Sequence, residues 1–325
     1  ADMITGGENK TLNNEFLLLG FQILHSLRIP FFLSILILYI FTILGNATVA
    51  ALVLSSHSLQ QPMFFFLGHL SLCDITLTTT IVPVLLQGVL RGPVNLSVAA
   101  CITQFQILFA SAAFECLLLG VMSIDRYVAI CSPLQYSAIM RKELSFELVT
   151  LCWFLGYSFV FNLTILISRL TFCGPNVIDH FFCDFLPILQ LSCSDSFAVK
   201  LAQLFLAILT GVFTVMSIIV TYIYILATVF KIPSTTVRQK ALSTCSSHLA
   251  VVATFLGSLL SLYVLPSSGN TLTANKLLSL LYTVVTPLFN PIIYSLRNWE
   301  IRAALKKVIW RIKFLFYHNL NHPMF

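Results

Sequence analysis

Two acidic residues stand in stretches of the sequence that otherwise carry no charge. Asp74 lies in the run from Ile29 to Leu90. Glu115 lies in the run from Val98 to Ile124. A carboxylate in apolar surroundings is costly unless it has a partner, so such residues usually face the interior of a helix bundle and serve a function. We expect the two acids to share a sodium ion or a proton; two protonated acids in a polar packing network are the structural alternative. The polar residues expected beside them are Asn46, Ser71 and Asn290.

Two further pairs of residues have types that suit a conformational change. Asp125 and Arg126 end the second of these runs, where the pair alone would predict a weak surface ion pair. Pro291 follows Asn290 in the last apolar run, where it removes a backbone hydrogen bond and kinks a helix. Tyr294, one turn later, could then alternate between two packings, although a plain structural kink is the alternative.

The composition indicates what must position these residues. Hydrophobic residues make up 58% of the 325 residues, charged residues make up 9%, and the mean hydropathy is +0.93. Soluble domains carry about 25% charged residues, so this outer surface must face lipid instead. The net charge of +6 comes from scattered positive residues rather than from a basic stripe, so we expect no nucleic-acid partner.

A helix needs about 20 mostly apolar residues to cross a membrane, and seven stretches of the sequence supply them. A polar break at Ser55–Pro62 divides the first long run into two spans. The remaining spans fall within Val98–Ile124, Leu148–Ser168, Leu201–Phe230, Ala241–Asn275 (whose end, Pro266–Asn275, is typical of a loop) and Leu277–Leu296. The sequence therefore predicts an all-α membrane protein with a seven-transmembrane helix bundle.

The distribution of positive residues predicts the orientation. Of the 18 Lys and Arg residues, twelve fall on the side of the C-terminal tail and six on the other, which favours a cytoplasmic tail. We expect residues 1–28 to be extracellular, 29–297 to form the bundle and 298–325 to be cytoplasmic, in the plasma membrane. The N-terminal stretch lacks a hydrophobic signal core, so the first span would act as the targeting signal. Asn9-Lys10-Thr11 is then a candidate glycosylation site, and Asn95-Leu96-Ser97 also falls outside.

Four of the nine cysteines lie on the predicted outer side, in the oxidising compartment. Cys101 begins the third span, and Cys173, Cys183 and Cys193 share one loop. Three pairings are open to four cysteines. A bridge from Cys101 to the loop would hold the loop over the bundle.

Several strings of residues are diagnostic when they occur in this order. They are Gly45-Asn46, Pro62–Leu67, Leu70–Asp74, Met122–Cys131, Pro133–Tyr136, His180–Asp184, Lys240–Leu249 and Pro287–Asn298. Together they resemble the vertebrate odorant receptors, a family of rhodopsin-like (class A) G-protein-coupled receptors, from about Phe16 to Lys307. Two departures occur: Leu256 stands where the family usually has a tyrosine, and Thr221 stands where it usually has a serine.

The resemblance implies a receptor that activates a heterotrimeric stimulatory G protein and raises cyclic AMP. It implies that Arg126 turns from Asp125 towards the G protein and Tyr222, and that Cys101 pairs with Cys183 and Cys173 with Cys193. His248, a polar residue at the expected start of span six, becomes a conformational or pH-sensitive contact. The switch residues are then Asp125, Arg126, Tyr127, Tyr222, His248, Asn290, Pro291 and Tyr294.

The resemblance also implies a ligand pocket in the outer half of the bundle. Its expected lining is Leu108, Phe109, Ala112, Ala113, Leu206, Ala207, Thr210, Leu256, Leu259, Leu260, Tyr263, Leu280 and Thr283. This set suits a small volatile or apolar ligand with one or two hydrogen-bonding groups. Leu108 stands where amine receptors have an aspartate, and Val284 stands where opsins have the retinal lysine. We therefore expect a neutral ligand that binds without a covalent bond.

The end of the chain predicts a short amphipathic eighth helix. Basic residues from Arg302 to Lys313 alternate there with apolar ones, a pattern that favours binding to anionic membrane lipid. The sequence contains no phosphate-binding glycine loop, zinc-protease motif or nucleophile elbow, so we expect no enzyme, and no cofactor except the sodium ion. The alternatives are a rhodopsin-like receptor for a metabolite or lipid and an ion-coupled transporter, although a transporter would be expected to show internal repeats.

Overall fold

A computed structural model describes residues 14–21, 25–173, 175–264 and 271–321. The side chains of residues 25, 240, 244, 259–264, 271–273, 295–297 and 311–321 are outside that description. Within it, seven helical segments are long and apolar enough to cross a membrane. The spans are α1 (Arg28–Ser55), α2 (Pro62–Arg91), α3 (Val98–Cys131), α5 (Lys142–Ser168), α7 with α8 (Phe197–Ala207 and Phe213–Lys231), α9 (Thr235–Val264), and α10 with α11 (Thr271–Leu280 and Thr286–Arg297).

Shorter elements connect and follow the spans. They are β1 (Glu15–Leu18), β2 (Val94–Ser97), α4 (Tyr136–Ile139), β3 (Val177–Ile178), α6 (Phe185–Gln190) and α12 (Trp299–Asn321). The strands lie at one end of the bundle, called here the sheet end. The connections α1–α2 and α3–α5, together with α12, lie at the opposite end, called here the tail end.

Local sequence signals explain where two of the spans begin and end. Pro62 begins α2, where its missing N–H group costs nothing, and Gly92 ends it with a φ of +89° that favours glycine. Ser97 caps α3, because its hydroxyl accepts a hydrogen bond from the N–H of Ala100 at 3.2 Å.

Several spans extend further than the charge-free runs predict, and α3 and α9 are two examples. The helix α3 continues past Ile124 to Cys131, and α9 begins at Thr235 rather than near Ala241. Both extensions carry charged residues, because a helix can continue into water beyond the hydrocarbon core once its apolar part is long enough. The absence of charge therefore located the spans but not their ends.

The helix α3 is the centre of the bundle and packs against α2, α5 and α8. Gly156 of α5 permits a close approach, since a β-carbon there would lie 3.0 Å from the Phe114 nitrogen and 3.1 Å from the Ala110 oxygen. Large apolar side chains such as Phe154 and Phe41 are exposed on the outer surface. That surface suits hydrocarbon rather than water.

Two spans contain a wider, π-helical turn that the sequence analysis did not predict. One comprises Ile208–Val212, between α7 and α8, and the other comprises Leu281–Val285, between α10 and α11. Pro287 explains the second turn, because its ring would clash with the carbonyl one turn earlier in a regular α-helix. The Thr286 hydroxyl donates to the Leu281 carbonyl at 3.2 Å within this turn.

A small sheet at the sheet end is an addition to the predicted all-α architecture. Its strand order is β2-β1-β3, with β1 antiparallel to β2 and parallel to β3. Phe16 and Leu18 of β1 are buried, and Phe16 packs edge-on against Phe172 at 5.1 Å. The polar residues before Phe16 gave no sign of this four-residue strand.

Candidate functional site

Two disulfides fasten the loop between α5 and α7 at the sheet end. Cys101 at the start of α3 is bonded to Cys183, and Cys173 is bonded to Cys193. The Cα–Cα distances are 5.5 and 6.0 Å, and these are the pairs that the resemblance implies. We call the sheet together with the loop 175–193 the lid.

Gln104 provides a further attachment that the sequence analysis missed. Its side-chain oxygen accepts the N–H of Cys183 at 2.9 Å, and its side-chain nitrogen donates to the Thr80 carbonyl at 3.1 Å. The residue thus ties the lid to both α3 and α2. A buried amide one turn after Cys101, in an apolar helix, is the signal that could have identified it.

Lys276 joins the N-terminal segment, the lid and the last span. Its ammonium group donates to the Gly20 carbonyl at 2.9 Å and forms an ion pair with Asp179 at 2.5 Å. The N–H of Gly20 in turn donates to the His180 carbonyl at 3.0 Å. We call Lys276, Asp179 and Gly20 the latch; the sequence analysis had counted Lys276 only towards the orientation.

Two titratable side chains of the lid are buried. His180 packs against the rings of Phe181 and Phe182 at 4.7 and 4.3 Å. Burial, with the charge of Lys276, lowers the pKa of His180 to about 3. Asp184 accepts the N–H of Phe185 at 2.8 Å, yet burial raises the pKa of its carboxyl group to about 6.

Beneath the lid lie several of the predicted pocket residues. Leu108 belongs to one apolar cluster with Phe181 and Phe182 of the lid, and the half-buried Leu280 packs against that cluster. Phe109 packs against this cluster and also against a second one. The second cluster contains the predicted residues Ala113 and Leu206. The structure therefore brings five of the predicted residues into the bundle interior near the sheet end.

The other predicted pocket residues have different surroundings. Leu256 packs against a third apolar cluster, which extends to the tail end. Ala112 and Ala207 are half-buried. The side chains of Leu259, Leu260 and Tyr263 lie outside the described residues, as does the predicted glycosylation site Asn9.

Thr210 and Thr283 are the two described hydroxyl groups of the predicted pocket. Thr210 donates to the Leu206 carbonyl at 2.8 Å, and Thr283 donates to the Ser279 carbonyl at 2.7 Å. Each hydroxyl proton is therefore engaged within its own helix, while the oxygen lone pairs remain. A ligand would meet these groups as hydrogen-bond acceptors.

The two intramembrane acids lie in a cluster of oxygen atoms at the centre of the bundle. The Asn290 amide donates to Asp74 at 2.9 Å and also lies beside Glu115. One oxygen of each of these three side chains is buried and has no hydrogen-bond partner within the described part of the chain. Three such acceptors on neighbouring side chains suit a cation or a proton. Ser71, one turn before Asp74, is also buried.

Asn46 belongs to the same region but has a different role. Its amide donates to the Pro287 carbonyl and to the Thr42 carbonyl, both at 3.0 Å. Because Pro291 has no N–H group, the Pro287 carbonyl lacks its usual partner in the helix. Asn46 supplies that partner from α1, and Gly45 allows the approach, since a β-carbon there would lie 3.0 Å from the Pro291 side chain.

At the tail end, Arg126 forms an ion pair with Asp125. Asp125 also accepts the Tyr136 hydroxyl at 2.8 Å, so α4 holds the carboxylate in place. Nothing in the sequence around Tyr136 indicates this contact. Tyr127 packs against Tyr224 at 5.8 Å.

The contact of Tyr222 corrects the expectation for His248. The Tyr222 hydroxyl lies 2.9 Å from the His248 ring nitrogen and 3.3 Å from the Cys245 carbonyl. His248 is completely buried within α9 rather than at its start, because the helix begins thirteen residues earlier, at Thr235. In this arrangement Tyr222 bonds to α9 while Arg126 bonds to Asp125.

Beside Arg126 a cavity of about 180 Å³ opens at the tail end. Ser247, Tyr294 and Glu300 also line it. Tyr294 is buried, and its hydroxyl has no hydrogen-bond partner among the residues that the structure describes. An unpaired buried hydroxyl costs free energy, so an alternative packing that satisfies it is favoured to that extent.

Comparison with known proteins adds the family context. The sequence profile described as "Olfactory receptor" matches residues 35–312. The chain is 46% identical to mouse olfactory receptor 5P55 over 94% of this chain and 98% of the relative, and 43% identical to human olfactory receptor 11A1 over 94% and 96%. The crystal structure of squid rhodopsin is similar in fold, with a TM-score of 0.71 and 18% identity over 90% of this chain and 88% of that chain.

Proposed function

Because the chain belongs to the olfactory receptor family, we propose that it binds a small, mostly apolar, neutral ligand beneath the lid and activates a stimulatory G protein that raises cyclic AMP. The chain has the seven-helix fold of G-protein-coupled receptors, and members of this family are receptors rather than enzymes. The observation that carries the proposal is the apolar interior around Leu108 and Phe109, directly below the disulfide-bonded loop.

The ligand chemistry follows from the side chains in that interior. Leu108 and Val284 are completely buried, and neither offers a counter-ion or an amine for covalent attachment. Thr210 and Thr283 offer acceptor oxygens. An alcohol, which can donate a hydrogen bond and is otherwise apolar, satisfies this set better than an ester or a hydrocarbon does.

The orientation is part of the same proposal. Residues 1–28 and the lid face the outside of the plasma membrane, residues 29–297 form the bundle, and residues 298–325 lie at the cytoplasmic surface on anionic lipid. The disulfides support this direction, because they need an oxidising compartment. The G protein then meets the bundle at Arg126 and the cavity beside it.

The coupling between the two ends runs through the polar centre. Asp74, Glu115 and Asn290 fit a sodium ion or a shared proton, since each offers a buried unpaired oxygen atom. A bound cation would offset the two negative charges there. Asn290 and Pro291 belong to the span that also carries Tyr294, so a rearrangement of this span reaches the tail end.

A cyclic-AMP reporter screen against a broad odorant panel tests the function. Neutral alcohols should rank above amines, and Arg126→Ala should abolish the response at unchanged surface expression. Leu108→Asp should shift the preference towards amines. If the best agonist is an amine and Leu108→Asp does not improve its potency, the proposed pocket is wrong.

A separate measurement tests the ion site. The melting temperature of the purified receptor should be higher in sodium chloride than in choline chloride, and Asp74→Asn should remove the difference. If a proton occupies the site in place of sodium, the melting temperature should depend on pH and not on sodium. Equal melting in both salts at every pH, with normal signalling by Asp74→Asn, would contradict both forms of the proposal.

A further inference from the structure

A groove of about 500 Å³ runs between α1, α11 and α12 at the tail end. The residues that define it are Leu44, Gly45, Thr48, Pro291, Ile301 and Leu305. All but Thr48 are apolar, and the Thr48 hydroxyl donates to the Leu44 carbonyl at 2.6 Å within α1. None of these residues therefore needs a hydrogen bond from the molecule that occupies the groove.

The groove lies where a small residue of α1 and a rigid residue of α11 meet. Gly45 lets Pro291 approach α1 closely, since a β-carbon there would lie 3.0 Å from the Pro291 side chain, and the two residues line a depression between the spans. Ile301 is buried and docks α12 across the end of that depression. The opening faces outward, because Phe41 and Leu44 on its rim are 60% and 59% exposed. Lipid tails are what such an apolar opening meets in a bilayer.

The charge beside the groove is strongly positive. Arg302 and Lys306 are exposed and follow directly after Ile301 and Leu305, the two α12 residues in the groove. The same two cations line a neighbouring cavity with Trp299. The sequence of α12 contains one acidic residue, Glu300. It lines a different cavity, the one beside Arg126.

We propose that this groove is a binding site for an anionic phospholipid, with one acyl chain in the groove and the headgroup on Arg302 and Lys306. The apolar floor selects a hydrocarbon chain, and the two cations select a negative headgroup over a zwitterionic one. Pro291 lies in the wall, between Asn290 and Tyr294, so the bound chain contacts the span that joins the polar centre to the tail end. The lipid thereby holds α12 and α11 in the observed arrangement.

The chain carries a fluorescent reporter for this site. Trp299 and Trp310 of α12 are 69% and 66% exposed, whereas Trp153 stacks on Phe114 at 3.8 Å in the interior. Bromine atoms on an acyl chain quench a tryptophan on contact. Full-length receptor in phosphatidylcholine nanodiscs is titrated with brominated phosphatidylserine or brominated phosphatidylcholine, and Trp299→Phe identifies the part of the signal that comes from Trp299.

Brominated phosphatidylserine should reach half-maximal quenching at a mole fraction about fivefold or more below that of brominated phosphatidylcholine. One or two lipid-facing cations attract an anionic headgroup strongly enough to give this ratio. Arg302→Gln with Lys306→Gln should remove the difference. Lys231→Gln, which neutralises an exposed cation on α8, should preserve it. Equal quenching by both lipids in the unmodified receptor would overturn the proposal.

A second pair of variants separates the groove from general attraction to a basic helix. Thr48→Phe fills the groove, while Ala47→Phe adds the same ring to an exposed position of α1 outside it. Thr48→Phe should raise the half-quenching mole fraction of phosphatidylserine several-fold, and Ala47→Phe should leave it unchanged. If neither variant changes it, the lipid binds the surface of α12 and not the groove. If neither lipid quenches the tryptophans and the nanodisc contains a receptor dimer, a second receptor copy occupies the groove and the lipid does not.

Discussion

The sheet end and the tail end of the bundle are stabilised by different kinds of bond. The sheet end has two disulfides, a three-stranded sheet, the Gln104 attachment and the latch. The tail end has single side-chain contacts, chiefly Arg126 with Asp125 and Tyr222 with His248. It also has a buried hydroxyl without a partner, that of Tyr294.

This difference suggests a division of labour. Covalent and backbone links keep the lid in one arrangement, which preserves the shape of the interior where we propose that the ligand binds. Single ion pairs and hydrogen bonds contribute only about 1–3 kcal/mol each, so the tail end can change partners at a small cost. Breaking links at one end should therefore impair ligand binding, and breaking them at the other should release signalling.

The largest effect is expected from the disulfide between α3 and the lid. Cys101→Ser with Cys183→Ser should lower the free energy of unfolding by about 2–5 kcal/mol and abolish the ligand response. Cys173→Ser with Cys193→Ser should cost less, because that bond spans 20 residues rather than 82. Thermal melting in detergent, with a reporter assay in cells, measures both. Equal stability of the two variants and the unmodified receptor would remove the basis for a rigid sheet end.

The next effect is expected from freeing Arg126. Asp125→Asn removes the charge that holds Arg126. If the observed arrangement thereby loses about 1–2 kcal/mol of stabilisation, the basal cyclic-AMP signal should rise about 5–30-fold. Tyr136→Phe, which removes one hydrogen bond to the same carboxylate, should have a smaller effect in the same direction. A basal signal that stays at the level of the unmodified receptor, at equal surface expression, would contradict the assignment of the switch to the tail end.

A smaller effect is expected from opening the latch. Lys276→Met removes the ion pair with Asp179 and the hydrogen bond to Gly20, so the β1 amides should exchange with deuterium about tenfold faster, which corresponds to about 1.4 kcal/mol. Lys200→Met, at an exposed position of α7, is the matched control. Unchanged exchange in Lys276→Met would mean that the sheet alone holds the N-terminal segment.

The smallest effect is the response of the lid to pH. The pKa of His180 is about 3 in the closed lid and ordinarily 6.5, so the closed form should lose stability as the pH falls from 6.5 towards 3. Asp184 acts in the opposite direction, because its pKa of about 6 exceeds the ordinary 3.8 and its contribution is lost as the pH rises through 6.

Asp184→Asn removes the opposing titration and should make the dependence on His180 visible. Deuterium exchange of the β3 amides, measured between pH 4 and 7 and corrected for intrinsic rates, should then show more opening at lower pH. His180→Phe in the same background should make the profile flat. A residual dependence of the same size would assign the pH response to another group.

The sequence predicted the parts of the molecule that depend on composition and local pattern. Long runs with at most one charged residue located seven spans, because a charged side chain is costly inside the hydrocarbon core. The diagnostic strings identified the family, and with it the residues around Arg126 and Asp74. The π-helical turn before Pro287 was not predicted, because proline permits either a kink or a wider turn.

The lid could not be predicted because its contacts join residues that are far apart in the chain. Lys276 and Gly20 are separated by 256 residues, and neither residue type alone indicates a partner. The strand β1 has only four residues, too few for a periodic pattern. The burial of His248 depended on where α9 begins, and the charged residues before Ala241 concealed that start.

Deuterium exchange across the whole receptor, with and without an agonist and the G protein, tests the difference between the two ends most directly. We expect faster exchange in residues 235–250 of α9 and 290–297 of α11 on activation, with the exchange of the β1 and β3 amides unchanged. Asp125→Asn without ligand should reproduce the change in α9 in part. Changes in the strands as large as those at the tail end would contradict a rigid sheet end and a switch confined to the tail end.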